Sequence, residues 1–195
     1  MSKSQMRQSA LQSRRALPRS QVESLSSKVK ENLESLPEFR DARVVASYVA
    51  LPDEVQTMPI LGSAMAMGKK VVVPLVDVAG DRLLFMELDD LSSLRPGHFA
   101  VLEPPGTAKQ VDLAETDVVL VPLLVWDDRG NRIGYGRGYF DKALKTRGAS
   151  VAIGLAFESQ HVPRIPEGPS DVALDMVVTE DKVARFSPPH VRSSR

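Results

Sequence analysis

Apolar residues in the first part of the chain recur with the period of a helix. Val22, Leu25, Val29, Leu33 and Leu36 fall between Pro18 and Pro37 at helical spacing, which predicts a helix with one buried face. Ser20, with Glu23 three residues on, has the spacing of a capping box and is taken as its start. Ser2–Leu17 is rich in helix formers and stops at Pro18, so a first helix is predicted there. The period then changes. Arg43–Ala50, Lys70–Val76, Asp117–Val121, Val151–Leu155 and Met176–Val178 are short apolar runs that read as buried strands, and Arg82–Glu87 reads as an edge or hairpin strand. Between them, Thr57–Met67 carries Pro59 in its first turn and Gly68 beyond its end, and Gly138–Thr146 also reads as a helix. Apolar strands separated by helices specify an α/β protein with a parallel sheet covered on both faces. Residues 1–185 read as one domain. Residues 186–195, with Pro188–Pro189 and the polar, basic run Arg192–Arg195, are expected to form a loose tail.

Composition narrows the class. A chain of 195 residues suits one α/β domain and buries roughly 70% of its unfolded surface, so it needs no staples. Cysteine is absent, which excludes disulfides, thiolate metal sites and a cysteine nucleophile and suits a reducing cytoplasm. Lysine plus arginine equals aspartate plus glutamate at 25 each, which argues against a broad nucleic-acid surface. Met1–Arg15 lacks the apolar centre of a secretory signal. Val118–Trp126 is interrupted by Pro122 and is too short to cross a bilayer. A cytoplasmic protein with a small-molecule partner, and neither nucleic acid nor membrane, is expected.

The chemistry gathers in Asp127–Asp141, DDRGNRIGYGRGYFD. Gly134, Gly136 and Gly138 alternate with Tyr135 and Arg137 ahead of a predicted helix. Such spacing lets backbone N–H groups approach an anion with no Cβ between them, and a helix N-terminus adds positive potential. Arg132 and Arg137 supply charges that can grip phosphate bidentately, and Asp141 is placed to hold a divalent cation beside it. The spacing is neither a dinucleotide fingerprint nor a Walker loop. Lys3, Arg7 and Arg14 fall near one face of the first helix; on residue type alone this reads as a solvated face. Asp53 or Glu54, beyond a strand end, serves either a helix dipole or a ring N–H. Asp171 and Asp175 read as turn caps, with a metal carboxylate as the alternative. His98, His161 and His190 are too far apart for a metal site.

Several segments occur in the order seen in the 5-formyltetrahydrofolate cyclo-ligase family, also called methenyltetrahydrofolate synthetase. These are Lys3–Arg7, Tyr48–Thr57, Gly68–Pro74, Glu103–Pro104, Asp117–Leu144, Ile153–Gln160 and Asp171–Glu180. The chain resembles that family from Lys3 to Glu180, most specifically over Arg132–Asp141. The resemblance implies a three-layer α/β/α fold with a mostly parallel open sheet, ATP as co-substrate and Mg2+. It implies ATP binding by Lys3, Arg7, Arg132, Ile133, Gly134, Tyr135, Gly136, Arg137, Gly138, Tyr139 and Phe140. Val49, Glu54, Trp126 and Tyr135–Tyr139 would face the folate, Asp141 and Asp171 would serve magnesium, and Arg132, Arg137 and Tyr139 would act in catalysis. Departures are also present. Pro122–Asp127 reads PLLVWD where the family has PGLAFD, so Trp126 is expected to reshape the pterin pocket. Arg137 replaces glycine or lysine, Phe140 a tyrosine, and Ser170 a histidine or asparagine. Competing readings are an enzyme of the same fold acting on another formylated pterin, a non-catalytic nucleotide-binding module, and a nucleic-acid binder using the basic first helix.

Overall fold

The computed structural model describes residues 1–186. The chain opens with α1 (Lys3–Arg15), whose N-cap Ser2 forms a capping box with Gln5. Helix α2 (Arg19–Ser35) starts one residue earlier than Ser20 predicts: Pro18 is its N-cap and makes no side-chain cap bond. Glu23 pairs instead with Arg19, four residues back. A single turn, α3 (Pro37–Arg40), leads into β1 (Val44–Ala46), α4 (Met58–Ala66), β2 (Lys70–Asp77) and β3 (Arg82–Glu87). Short strands β4 (Arg95–Pro96), β5 (Leu102–Glu103) and β6 (Gln110–Val111) follow. Then come β7 (Val118–Pro122), β8 (Val125–Asp127), β9 (Arg132–Ile133) and α5 (Tyr139–Leu144). The described chain finishes with β10 (Val151–Leu155), β11 (His161–Val162), β12 (Met176–Val178) and β13 (Val183–Arg185).

Eight strands form one sheet in the order β13-β12-β10-β7-β1-β2-β3-β6. The central pairs from β12 to β2 are parallel, and β13, β3 and β6 run antiparallel at the edges. Each central strand sends alternate residues to opposite faces, and both faces are buried. Val45, Val71, Val73, Val118, Leu120, Ile153 and Val178 pack under Val29 and Leu33 of α2, Phe39 of α3 and Ile60 and Leu61 of α4. Ala46, Val72, Val119, Val121, Ala152 and Val177 face the opposite side with Leu144 of α5 and Trp126. This second layer is thinner than expected, because α5 has only six residues and irregular segments complete the cover.

β8 and β9 form a hairpin that β11 joins in a separate three-stranded sheet. Met6, Ala10 and Leu11 of α1 pack on its Leu124, Val125, Ile133 and Ile165. The N-terminal helix is thus docked beside the hairpin that precedes the glycine loop. Phe186, the first residue of the expected tail, packs near Trp126, and its N–H bonds to Asp175 O. Residues 187–195 lie outside the described part.

Candidate active site

A cavity of about 640 Å³ opens at the carboxyl ends of β1, β2 and β7. Strand order reverses here, since β2 lies on one side of β1 and β7 on the other, and ligands of open α/β sheets gather at such a point. Tyr48 and Val49 reach it from beyond β1, Pro74 and Val76 from β2, and Pro122 from the end of β7. The whole run 132–141 crosses its wall.

That run is held from below by Asp127, which has no exposed surface. Its Oδ1 accepts the N–H groups of Arg129 (3.0 Å) and Asn131 (2.9 Å), and its Oδ2 accepts Ile165 N–H (2.9 Å) and Asn131 Nδ2 (3.1 Å). These bonds outweigh the cost of burial and hold its carboxyl below the usual range. After β9 the glycines set the path. Gly136 has φ +99° and a Cβ there would meet Arg7 Cζ at 3.2 Å; Gly138, at φ +70°, is the left-handed N-cap of α5. Arg7 Nε donates to Gly134 O at 2.8 Å, so α1 braces the loop from outside.

At one end of the cavity the charged side chains are buried. Glu54 is buried, with Oε2 accepting Leu51 N–H (2.8 Å) and Oε1 accepting the Tyr135 hydroxyl (3.1 Å). Arg14, 3% exposed, donates to Asp53 Oδ2 (3.0 Å), Leu123 O (3.2 Å) and the Tyr135 hydroxyl, and its Nη1 lies 3.8 Å from Glu54 Oε1. Burial pushes the Glu54 carboxyl above its ordinary range, against the pull of Arg14 and the two hydrogen bonds. Burial and the Glu54 charge likewise push the Tyr135 phenol up, so it stays a neutral donor.

At the other end the acidic side chains are more exposed. Arg132 is buried and turns its guanidinium onto Asp141 Oδ1 (3.0 Å) and Val172 O (2.6 Å). Burial lowers its pKa, and Asp141 opposes that shift. Asp141 Oδ1 also accepts Val172 N–H at 3.3 Å, which brings the segment carrying Asp171 beside it. Asp171 Oδ2 accepts Gly168 N–H (2.7 Å) and pairs with Lys3. Along the lip, the Arg137 guanidinium lies 4.3 Å from the ring centroid of Phe99, and the Tyr139 ring is 6.3 Å from that of Phe99.

A protein-family model described as the 5-formyltetrahydrofolate cyclo-ligase family matches residues 1–180. The chain belongs to the 5-formyltetrahydrofolate cyclo-ligase family. The Mycolicibacterium smegmatis 5-formyltetrahydrofolate cyclo-ligase is 31% identical over 187 residues, covering 91% of this chain and 93% of the relative. The Escherichia coli K12 enzyme of that name is 28% identical over 176 residues, covering 88% and 97%. The NMR structure of Aquifex aeolicus 5,10-methenyltetrahydrofolate synthetase covers both chains completely at 31% identity, with a TM-score of 0.85.

Within this cyclo-ligase fold, the structure brings together Lys3, Arg7, Val49, Glu54, Arg132–Asp141 and Asp171 on one cavity wall. It does not bring Trp126 there. Trp126 points into the second core layer, is 1% exposed, and meets the His161 ring at a tilt, 4.4 Å between centroids. The expectation that it reshapes the pterin pocket is therefore corrected: β8 alternates, and its middle residue faces the sheet rather than the cavity. The solvated-face reading of α1 is also overturned, since Lys3, Arg7 and Arg14 each grip a different part of the site. Arg132 is committed to Asp141 and a carbonyl, an anchoring geometry. Pattern assigns no role to Phe99, whose exposed ring only the folded chain reveals, and none to Asp127 as an anchor.

Proposed function

We propose that this cavity binds ATP and 5-formyltetrahydrofolate side by side and closes the formyl group into the 5,10-methenyl bridge, releasing ADP and phosphate. One observation carries the reading: the single stretch 132–141 spans both ends, with the Tyr135 hydroxyl on Glu54 at one and Asp141 beside Arg132 at the other. A pterin ring at the first end and polyphosphate at the second would meet along the glycine backbone.

A formamide oxygen is a poor leaving group. Its attack on the γ-phosphorus breaks the bond to the β-phosphate bridging oxygen, and ADP departs. The resulting imidate phosphate has an activated carbon, which the 10-nitrogen attacks; that nitrogen loses its proton and phosphate leaves. Phosphoryl transfer of this kind demands positioning and charge neutralisation rather than a protein nucleophile. The glycine backbone orients the phosphates. Arg7 spends only Nε on Gly134 O and keeps its terminal nitrogens for oxygen ligands, while Lys3 and Arg137 add charge along the wall. Glu54 accepts ring N–H groups at the end where its carboxylate is already buried.

Magnesium fits the phosphate end. Among the described residues no three His, Asp or Glu side chains form a cage. Asp141 and Asp171 each bond the protein through one oxygen, and Asp141 Oδ2 and Asp171 Oδ1 have no hydrogen-bond partner among the described residues. One or two carboxylates shared with phosphate oxygens is the usual arrangement for Mg2+, which would neutralise phosphate charge there. We place this activity in the cytoplasm; no helix among the described residues is long and apolar enough to cross a membrane. Trp126 lies off the cavity wall, while the other departures, Arg137, Phe140 and Ser170, line it.

The test is to incubate the purified protein with ATP, Mg2+ and 5-formyltetrahydrofolate and follow the near-ultraviolet absorbance of the methenyl product. Product formation with stoichiometric phosphate release is expected. ATP binding without either would overturn the assignment.

A further inference from the structure

We propose that Arg14 is a positioning residue for the pterin end: it keeps Glu54 an ionised acceptor, fixes the direction of the Tyr135 hydroxyl, and ties the ring end to the helix that carries Lys3 and Arg7. This rests on the reading above that Glu54 faces the pterin.

Arg14 is absent from the cavity wall, yet its guanidinium is tied to three different segments beside it. It sits 3% exposed with hydrogen bonds to Asp53, Leu123 O and the Tyr135 hydroxyl. The groups around Glu54 come from four directions. Its own loop supplies Leu51 N–H and Asp53, α1 supplies Arg14, the glycine loop supplies Tyr135, and the end of β1 supplies Tyr48, whose hydroxyl is turned away onto Val55 O. Among these groups Arg14 alone is cationic. Asp53 carries a second carboxyl, but its side chain is 22% exposed and itself bonded to Arg14. A buried carboxylate stripped of its counter-charge takes up a proton rather than remaining an anion. A protonated Glu54 would no longer offer two acceptor oxygens to ring N–H groups.

The hydroxyl direction follows from the same geometry. A guanidinium only donates, so the Tyr135 oxygen accepts from Arg14 and its own proton is left to point at Glu54 Oε1. Arg14 thereby orders a short chain, Arg14 to Tyr135 to Glu54, running from α1 to the cavity. Lys3 and Arg7, on the same helix, hold Asp171 and Gly134 O at the phosphate side. A displaced α1 would disturb both ends; a changed Arg14 on an intact α1 should disturb only the ring end.

The experiment compares wild type, Arg14→Gln, Arg14→Lys, Glu54→Gln and the double variant Arg14→Gln/Glu54→Gln. Kinetic constants are measured for both substrates from about pH 5.5 to 8.5, where the acid limb of kcat/KM reports essential groups of the free enzyme. In Arg14→Gln the acid limb for the folate substrate should move up by at least about one pH unit, while KM for ATP changes less than about threefold. Arg14→Lys should return most of the limb. The double variant should be no worse than Glu54→Gln by more than about threefold, because the two residues act as one unit. An unmoved limb, equal rises in both KM values, or additive losses in the double variant would overturn the proposal. Titration of 13C-labelled Glu carboxyls by NMR, with the Glu54 signal assigned by its loss in Glu54→Gln, reads the same link without substrate. Glu54 should titrate at higher pH in Arg14→Gln and, if that variant fails to fold, measurably so in Arg14→Lys. An unchanged Glu54 titration rejects the role of Arg14 even if turnover is normal. Absent turnover with a shifted titration rejects the folate reading alone.

Discussion

Asp127→Asn removes one charge and turns one oxygen into a donor, at a site with no exposed surface. The amide oxygen can keep the Arg129 and Asn131 N–H groups. The new NH2 then faces Ile165 N–H, Asn131 Nδ2 and, at 3.4 Å, Arg129 Nη2, three donors that lose this acceptor. Ile165 is fully buried, so water cannot replace the lost partner. One buried unsatisfied donor costs about 1–3 kcal/mol, and each hydrogen bond to a charged group contributes about 1.5–3 kcal/mol. Allowing for overlap and some relaxation, the net loss should be about 3 kcal/mol. For a domain of this size that lowers the unfolding midpoint by about 6–12 °C. The pH dependence has a definite sign. The folded carboxyl titrates below its unfolded value, so its stabilisation is complete above the unfolded pKa and is lost as pH falls through the folded one. The gap between wild type and Asp127→Asn should therefore be full at neutral pH and shrink below about pH 4. Urea unfolding of both proteins at several pH values measures it. Equal stabilities at neutral pH, or a gap that stays constant into acid, would refute the anchoring argument.

Gly136→Ala should weaken ATP about tenfold, since an alanine at φ +99° carries strain of about 1–3 kcal/mol and its Cβ would press on Arg7 Cζ; unchanged affinity by calorimetry would show that the loop conformation is immaterial. Asp141→Asn should lower turnover at least about tenfold, and because the buried Arg132 loses its counter-ion it should also cost about 1–2 kcal/mol of stability, reduced by Asp141's partial exposure. Full turnover at limiting Mg2+ would remove Asp141 from the phosphate end. Arg137→Ala should lower kcat more than it raises KM for ATP, with Arg137→Lys recovering part, because a guanidinium held over Phe99 is poised for bidentate contact with a transferring phosphoryl group. Steady-state kinetics matching wild type in both constants would make that arginine a surface bystander.

Short strands bounded by turns are readable from pattern: the edge or hairpin strand Arg82–Glu87 and the buried strands Val151–Leu155 and Met176–Val178 occur at their predicted limits. Arg43–Ala50 was read too long. The chain leaves the sheet after Ala46 and bends so that Ala50 N–H reaches Thr57 Oγ1 and the Tyr48 hydroxyl reaches Val55 O. An apolar run cannot distinguish a strand from a buried bend that continues it. The glycine loop was legible because its chemistry is local in sequence. Arg14 was not, because its partners Asp53, Leu123 and Tyr135 lie 39, 109 and 121 positions away, and only the folded chain makes a helix-surface arginine a buried one. Asp127 had a local signal that went unused: an aspartate with glycine and asparagine three and four residues later is turn chemistry, and here it closes the β8–β9 hairpin.

The two ends of the cavity are built on different electrostatic terms, and the difference suits what each would hold. At the phosphate end, Lys3 and Asp171 are 30% and 24% exposed and Asp141 is 31% exposed. Charges so placed are hydrated and adjustable, and can exchange partners when a ligand brings its own negative charge. At the ring end, Arg14 and Glu54 are 3% and 5% exposed and already paired. Such a network has been desolvated during folding, so a neutral ring offering N–H groups meets acceptors that need no rearrangement. Under the proposed placement, binding energy from the ring end would then fix where the formyl oxygen lies against the phosphates. Helix α1 makes that division workable, because one rigid element carries Lys3 and Arg7 to the more exposed end and Arg14 to the buried one.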